Sequence, residues 1–209
     1  RLPLILNEIK SIKHVIIINY PGKQLLKKNK IKKVKYINWN SIMKINPKKF
    51  KFKKFDFEHE LAILYSSGTT GKPKCICHRS GGVLLQHLKE HQLHSEIKEN
   101  DNVFYFTTCG WMMWNWLVTV LASKASIVLF EGFPMYKRSD LLIKLANDEK
   151  ITLLGVSAKY IDALNKSNIL NKKKYKLKKL RTICSTGSPL SEDGFNFIYK
   201  KVKSNVHLA

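Results

Sequence analysis

The sequence predicts an α/β fold built on a mostly parallel sheet with flanking helices. From Leu61 onward, short β-rich runs alternate with helical patterns, an order that parallel strands joined by crossover helices produce. The 209 residues suffice for one core, since a chain of this size buries roughly 70% of the surface its unfolded form exposes. Helix starts are also well marked: Ser139 precedes Asp140, and Ser191 precedes Glu192 and Asp193, each a hydroxyl cap with acid in the first turn. No internal repeat interrupts the pattern.

In chain order, the sequence predicts a helix at Leu4 to Ile9, a strand at His14 to Ile18, and then a lysine-rich connection with Trp39 as its anchor. Leu61 to Tyr65 is a short apolar run closed by turn residues, which reads as a strand buried on both faces. Lys74 to His78 alternates and reads as a second strand, so the segment between them is a hairpin tip. Further strands are predicted at Val103 to Thr107, Ser126 to Phe130, Ile151 to Val156 and Thr182 to Ser185. Helices are predicted at Gly82 to Leu93, Trp114 to Ala122, Asp140 to Asn147, Ala158 to Lys166 and Glu192 to Lys203, the last with Phe195, Ile198 and Val202 as an apolar stripe.

The hairpin tip carries the chemistry. Ser66-Ser67-Gly68-Thr69-Thr70-Gly71-Lys72-Pro73-Lys74 is made of hydroxyls, glycines, lysines and one proline. Gly68 and Gly71 let the backbone approach a ligand and turn its N–H groups inward, the Ser and Thr hydroxyls donate, and Lys72 and Lys74 add positive charge. This is not a Walker A loop, which has four residues between its glycines and Ser or Thr after its lysine. On composition alone, the segment is either a plain polar turn or a phosphate cradle.

The order of residues narrows the choice. Ile63 through Lys74 resembles, position by position, the phosphate-binding motif of the acyl-adenylate-forming, or AMP-binding, superfamily of acyl-CoA synthetases, luciferases and peptide adenylation domains. Thr107-Thr108-Cys109-Gly110-Trp111-Met112-Met113-Trp114 is similar to the aromatic substrate-pocket segment of its short-chain members, and Ser185-Thr186-Gly187-Ser188-Pro189-Leu190-Ser191 to the segment whose Gly-x-Pro contacts adenine. The text between, including Gly81 to His91, Gly110 to Trp116 and Ser157 to Tyr160, is most similar to the branch that joins acetoacetate to coenzyme A. The resemblance runs from about Asp56 to Ala209 and is weak before that.

That resemblance implies the large N-terminal domain of an adenylate-forming enzyme, with residues 1–60 as its weakly recognised first part and 61–209 as its AMP-binding core. It implies ATP, Mg2+ and coenzyme A as cosubstrates, with acetoacetate, or another short acid such as acetate or propionate, as the acyl donor. Ser66, Ser67, Gly68, Thr69, Thr70, Gly71 and Lys74 would hold the triphosphate, while Gly187, Ser188 and Pro189 would lie against adenine. Trp111, Met112, Met113 and Thr186 would bound the acyl group, with Trp114 and Trp116 left to the core. The acetyl-CoA branch has an acidic residue where this chain has Ser188. The family's acidic Mg2+ residue, ribose-binding Asp and catalytic Lys of a small C-terminal domain match nothing in these residues. Arg1 opens without Met and Val206 to Ala209 stops within a strand pattern, so the expectation is an internal piece of a larger domain.

A formal charge of +23 would ordinarily point to nucleic acid or an anionic membrane. Arginine, the residue of phosphate and base recognition, occurs only at Arg1, Arg79, Arg138 and Arg181, whereas lysines spread through Lys27 to Lys35, Lys48 to Lys54 and Lys172 to Lys179 in company with Ile and Asn. The expectation is solvated lysine-rich loops, small-molecule substrates and no nucleic-acid or membrane partner. Ile12 to Asn19 holds Lys13 and His14 and is too short to span a bilayer. Cys75, Cys77, Cys109 and Cys184 lack a secreted-type spacing and are expected to pack as small apolar residues in a reducing cytoplasm. His87, His91 and His94 share a helical face beside Glu90, which is a zinc-like arrangement or a packed one, and no metal is expected there.

Overall fold

The computed structural model describes residues 2–18, 34–47, 49–66, 71–170 and 175–209. The chain divides into two compact units, Arg1–Lys54 and Phe55–Ala209. The lysines of 27–33, Lys48 and those of 172–174 lie outside the described residues.

The first unit holds helix α1 (Leu2–Glu8), then strand β1 (His14–Ile17) paired in parallel with β2 (Lys35–Asn38). Trp39 was expected to anchor the lysine-rich connection, of which residues 19–33 lie outside the described residues. It opens the single turn α2 (Trp39–Ile42) and is 39% exposed. The reason is local: Asn38 Oδ1 accepts from the Asn40 amide (2.9 Å) and draws the chain into a helical turn as soon as β2 ends.

The second unit begins with β3 (Glu60–Ser66) and β4 (Lys74–Arg79), antiparallel as a hairpin requires. The expectation that Leu61 to Tyr65 is buried on both faces fails: Leu61, Ile63 and Tyr65 are more than half exposed, and only Ala62 and Leu64 are partly shielded. A two-stranded ribbon gives each strand one neighbour and alternates its side chains between two faces, so the apolar run is covered at every second position. Cys75 and Cys77, opposite Tyr65 and Ile63, are exposed for the same reason, and Cys109 is exposed in a loop, so of the four cysteines only Cys184 is largely withdrawn from solvent.

Helix α3 (Ser80–Lys89) packs on β4 and continues into a wider turn, Glu90–His94, in which the Ser95 amide bonds back to the Glu90 carbonyl (2.9 Å). Then come β5 (Asn102–Tyr105), α4 (Met112–Thr119), β6 (Ser126–Ile127), α5 (Leu141–Asp148), β7 (Leu153–Ser157), α6 (Ala158–Lys166), β8 (Thr182–Thr186), α7 (Glu192–Phe197) and β9 (His207–Leu208). The expected alternation is present, and β5 to β9 form one all-parallel sheet in the order β6-β5-β7-β8-β9.

Strand alternation sends side chains into two layers. Phe104, Leu154, Val156 and Ile183 pack into a core with residues of α5, α6 and α7. Val103, Tyr105 and Leu153 face the other way, onto Trp116, Leu117 and Val120 at and after α4. Helices on both faces of a parallel sheet make the doubly wound arrangement. Two end details differ from expectation. Asp140, not Ser139, stands at the N-cap position of α5 and makes no side-chain cap bond there, because its fully buried carboxylate is held bidentately by Arg138 instead (2.6 and 3.0 Å). Ser191 does cap α7, accepting from the Gly194 amide (3.1 Å), but the turn after it widens, so Phe197, Ile198 and Val202 fill the core while Phe195 is 42% exposed.

Candidate functional site

Strand order locates the site. β6 lies on one side of β5 and β7 on the other, so the winding reverses at β5, and a doubly wound sheet opens a crevice beyond the carboxyl ends of its strands at such a point. A cavity of about 190 Å3 occupies that place. It is lined by the end of β5 and the residues after it (Tyr105 to Thr108), by Trp111 and Met113, and by the last residues of β7 and β8, Ser157 and Thr186. Trp111, Met113 and Thr186 thus meet in one cavity although Thr186 lies far along the chain from the other two. Met112 does not line it and is 44% exposed, as expected when successive helical side chains diverge by about 100°.

Tyr105 forms the base of this arrangement. Its ring is 4% exposed, meets Trp116 edge-on with 5.7 Å between centroids, and lies over Gly155, its register partner on β7. A Cβ on Gly155 would come within 2.1 Å of that ring, so the position demands a glycine. The Tyr105 hydroxyl reaches across β7 and donates to Thr186 Oγ1 (3.1 Å). Burial pushes the phenol up to about 12, so it stays a neutral donor through the physiological range. Ser157 Oγ accepts from the Tyr160 amide (3.2 Å), starting α6 at the mouth of the crevice.

Beyond Thr186 the chain turns at Gly187, whose φ of +88° is a conformation that L side chains rarely adopt. Ser188 and Pro189 follow, exposed, before Ser191 begins α7. The Gly-x-Pro segment therefore stands at the carboxyl edge of the sheet, next to the cavity residue Thr186. At the hairpin, Ser66 and Lys74 are register partners at the loop end, and Gly71 (φ +114°) and Lys72 are exposed. Ser67, Gly68, Thr69 and Thr70 lie outside the described residues.

Trp116 is core, as expected, but Trp114 is only partly buried and lines a neighbouring cavity of about 490 Å3 that shares Tyr105 to Thr108 and extends to Phe130 and Gly132. A larger concavity, about 590 Å3, opens at the opposite ends of β8 and β9 among Ser95, Lys178, Arg181, Lys203 and His207. It has the size of a site but sits at the amino ends of the strands, away from the switch point, and its Arg181 is already held bidentately by Asp101 (2.9 and 2.7 Å).

The three helical histidines separate. His87 and His91 are buried, their rings 6.1 Å apart, whereas His94 is exposed because the widened turn rotates it off the face. His87 Nδ1 meets Thr119 Oγ1 (2.9 Å), and His91 packs against the edge of Trp116, with neither ring nitrogen in a hydrogen bond among the described residues. Burial, then the neighbouring His87, pushes His91 down to about 4. Glu90 lies close enough to His87 and His91 to act on both electrostatically, and its carboxylate accepts from Trp116 Nε1 (2.8 Å) and Gln86 Nε2 (2.6 Å). Among the described residues no group of three or more His, Cys, Asp or Glu gathers that could hold a metal ion.

Sequence reasoning assigned no site role to Tyr105, Phe106 or Ser157, and took Thr107 and Thr108 only as part of the segment similar to the family's substrate pocket. The signal was present, since each stands at or just after the carboxyl end of a predicted parallel strand, but it counts only once strand order is known.

The family model described as "AMP-binding enzyme" matches residues 4–208. The chain is 49% identical over 158 residues to the acetoacetyl-coenzyme A synthetase of Rhizobium meliloti (strain 1021), covering 76% of this chain and 24% of that protein. It is 48% identical over 157 residues to the acetoacetyl-CoA synthetase of Gallus gallus, covering 75% and 24%. Among solved structures, the acetoacetyl-CoA synthetase from Streptomyces lividans matches with a TM-score of 0.84 at 30% identity, covering 100% of this chain and 31% of that one. The chain thus spans about a quarter of the length of the curated relatives it matches.

Proposed function

The chain belongs to the AMP-binding enzyme family, and from that premise we propose that it supplies the nucleotide- and acyl-binding core of an ATP-dependent acid-thiol ligase that makes acetoacetyl-CoA. We take residues 61–209 as that core. In the first half-reaction a carboxylate oxygen of the acid attacks the α-phosphorus of ATP, forming the acyl-adenylate as the bond to pyrophosphate breaks. In the second, the coenzyme A thiolate attacks the acyl carbon and AMP leaves. Both steps depend mainly on positioning and on neutralising charge, which suits a donor-rich loop and a shaped cavity.

One observation carries the reading: Trp111, Met113 and Thr186 line a single small cavity at the switch point, with Gly187, Ser188 and Pro189 following directly on Thr186. An acyl group in the cavity and an adenine on the Gly-x-Pro segment are then neighbours, as an acyl-adenylate requires. About 190 Å3 suits a four-carbon acid better than a long chain. Ser66 to Gly71 and Lys74 would hold the triphosphate. Mg2+ would arrive with it, and the described residues offer no cluster to hold the ion.

The identity of the relatives supports acetoacetate as the acid, and acetate or propionate is the neighbouring choice within the same chemistry. The excess of lysine is read as solvated surface, with small molecules as partners and the cytoplasm as location. No helix among the described residues is long and apolar enough to cross a membrane. The test is acid-dependent exchange of labelled pyrophosphate into ATP by the complete protein, across acetate, propionate, butanoate and acetoacetate. Exchange fastest with acetoacetate is the expected result. Fastest exchange with acetate or propionate moves the substrate within the class, and none with any acid overturns the ligase reading.

A further inference from the structure

The cavity at the switch point contains a hydroxyl that is oriented by a second side chain from behind. Thr186 ends β8 and lines the cavity, and its Oγ1 is the acceptor of the Tyr105 hydroxyl at 3.1 Å. Of two hydroxyls sharing one hydrogen bond, the phenol is the stronger acid and hence the donor, and the aliphatic oxygen the better acceptor. Tyr105 cannot easily rotate out of that role, being 4% exposed, seated on Gly155 and wedged against Trp116. With its oxygen engaged from behind, the Thr186 hydroxyl is left to present its own proton to the cavity.

The other hydroxyls lining the cavity are held differently: Ser157 Oγ accepts from the Tyr160 amide at the start of α6, Thr107 Oγ1 donates to the Thr108 carbonyl (3.3 Å), and Thr108 is exposed. Much of the remaining wall is apolar, with Trp111, Met113 and Phe106. An oriented donor in such a wall discriminates between a ligand that has an acceptor at that point and an analogue that has a methylene there, because the bound analogue covers the donor and leaves it unpaired.

We propose that Tyr105 is a positioning residue that commits Thr186 to donate a hydrogen bond to the acyl group, and that this pair makes the site prefer 3-oxo acids over their saturated counterparts. The inference rests on the ligase reading given above and deepens it. Tyr105 touches no reacting atom; it acts through Thr186.

The test compares kcat/KM for pyrophosphate exchange with acetoacetate and with butanoate, whose chain is the same length but lacks the 3-oxo oxygen. The complete protein is assayed as wild type, Tyr105→Phe, Thr186→Val, Thr186→Ser and the Tyr105→Phe/Thr186→Val double variant. Loss of one oriented hydrogen bond should lower the acetoacetate-to-butanoate ratio about tenfold in Tyr105→Phe and in Thr186→Val. Thr186→Ser, which keeps the hydroxyl, should retain the ratio. The double variant should fall no further than Thr186→Val alone, since the two side chains act as one unit. Because both residues line the cavity, the ratio of the two acids, and not the rate on either alone, is the readout.

A ratio lowered by Thr186→Val but not by Tyr105→Phe overturns the positioning role. A ratio unmoved by either, or a wild type that prefers butanoate, overturns the recognition. Equal losses on both acids in Tyr105→Phe, with a lowered melting temperature, mark a merely structural tyrosine and overturn the inference while leaving the ligase reading intact. Absence of exchange with every acid in the wild type defeats that reading itself and takes the inference with it.

Discussion

Replacing Gly155 by Ala should destabilise the sheet, against the usual direction of such a change. Glycine in a strand interior costs about 0.5–1 kcal/mol relative to Ala, and a compatible Gly→Ala change stabilises by about 0.4–1 kcal/mol through the unfolded chain. Here the new methyl would lie 2.1 Å from Tyr105 Cδ2, 2.3 Å from Cε2 and 2.4 Å from Cγ, all ring atoms of a side chain that is 4% exposed. Carbon atoms in contact sit about 3.5–4.0 Å apart, so the ring must shift by more than about 1 Å. Trp116 blocks one side and the Thr186 bond ties the far end, so the shift also moves the cavity wall. Overpacking of this kind costs about 1–3 kcal/mol, which outweighs the backbone gain and leaves a net loss of about 1–2 kcal/mol. For a chain of this length that is a drop of about 2–8 °C in melting temperature. Urea and thermal denaturation of Gly155→Ala, Tyr105→Ala and the double variant read it directly. With Tyr105 truncated the obstacle is gone, and adding the Gly155→Ala methyl should then be neutral or stabilising. A Gly155→Ala protein as stable as wild type, or one whose loss is the same in the Tyr105→Ala background, refutes the packing argument.

Three further outcomes are expected. Burial and then His87 hold His91 at about 4 against an ordinary 6.5, so the unfolded chain takes up the proton first; stability is full above about pH 6.5 and is lost as pH falls towards 4. His91→Leu should flatten that limb in urea titrations at stepped pH, and an unchanged slope would place the acid sensitivity elsewhere. Lys74→Ala should slow adenylate formation by an amount on the scale of a lost preorganised donor, about 2.7–4 kcal/mol, with little effect on thioester formation from preformed adenylate; equal losses in both steps would make the hairpin loop structural. Met113 lines the cavity, so Met113→Ala should shift preference towards longer acids by about 1–3 kcal/mol per methylene accommodated, as read from competing acids in pyrophosphate exchange. An unaltered ranking would put the acyl group elsewhere.

The doubly wound pattern from β5 to β9 was readable because short apolar runs alternate with helical periodicity; α6 runs Ala158–Lys166 as its periodicity predicts, and α7 opens at Ser191. What sequence could not carry was pairing. The buried reading of Leu61 to Tyr65 assumed neighbours on both sides, yet apolarity does not say whether a strand is central or one half of a hairpin. The histidine face assumed an ideal helical repeat, and the widened turn at Glu90–His94 breaks it after His91. Strand order is likewise invisible in the sequence, which is why the motif residues Trp111, Met113 and Thr186 were readable while Tyr105 and Ser157 were not.

The notch left by Gly155 also bears on how β5 finds its place. In the parallel ladder, Val103, Phe104 and Tyr105 lie opposite Leu153, Leu154 and Gly155. All three β5 residues have large apolar bodies, so sliding the strand by one position would still fill both layers with hydrophobic carbon while turning every side chain to the wrong face. Hydrophobicity alone therefore penalises such a misalignment weakly. The empty position at Gly155 is a keyway: it accepts an aromatic ring lying flat across β7 in one alignment, and in any other it leaves a void on one side and a crowded Leu153 or Leu154 on the other. The feature that shapes the cavity floor thus also selects strand alignment, and chains trapped one residue out of place would be compact, apolar inside and unable to bring the Tyr105 hydroxyl to Thr186.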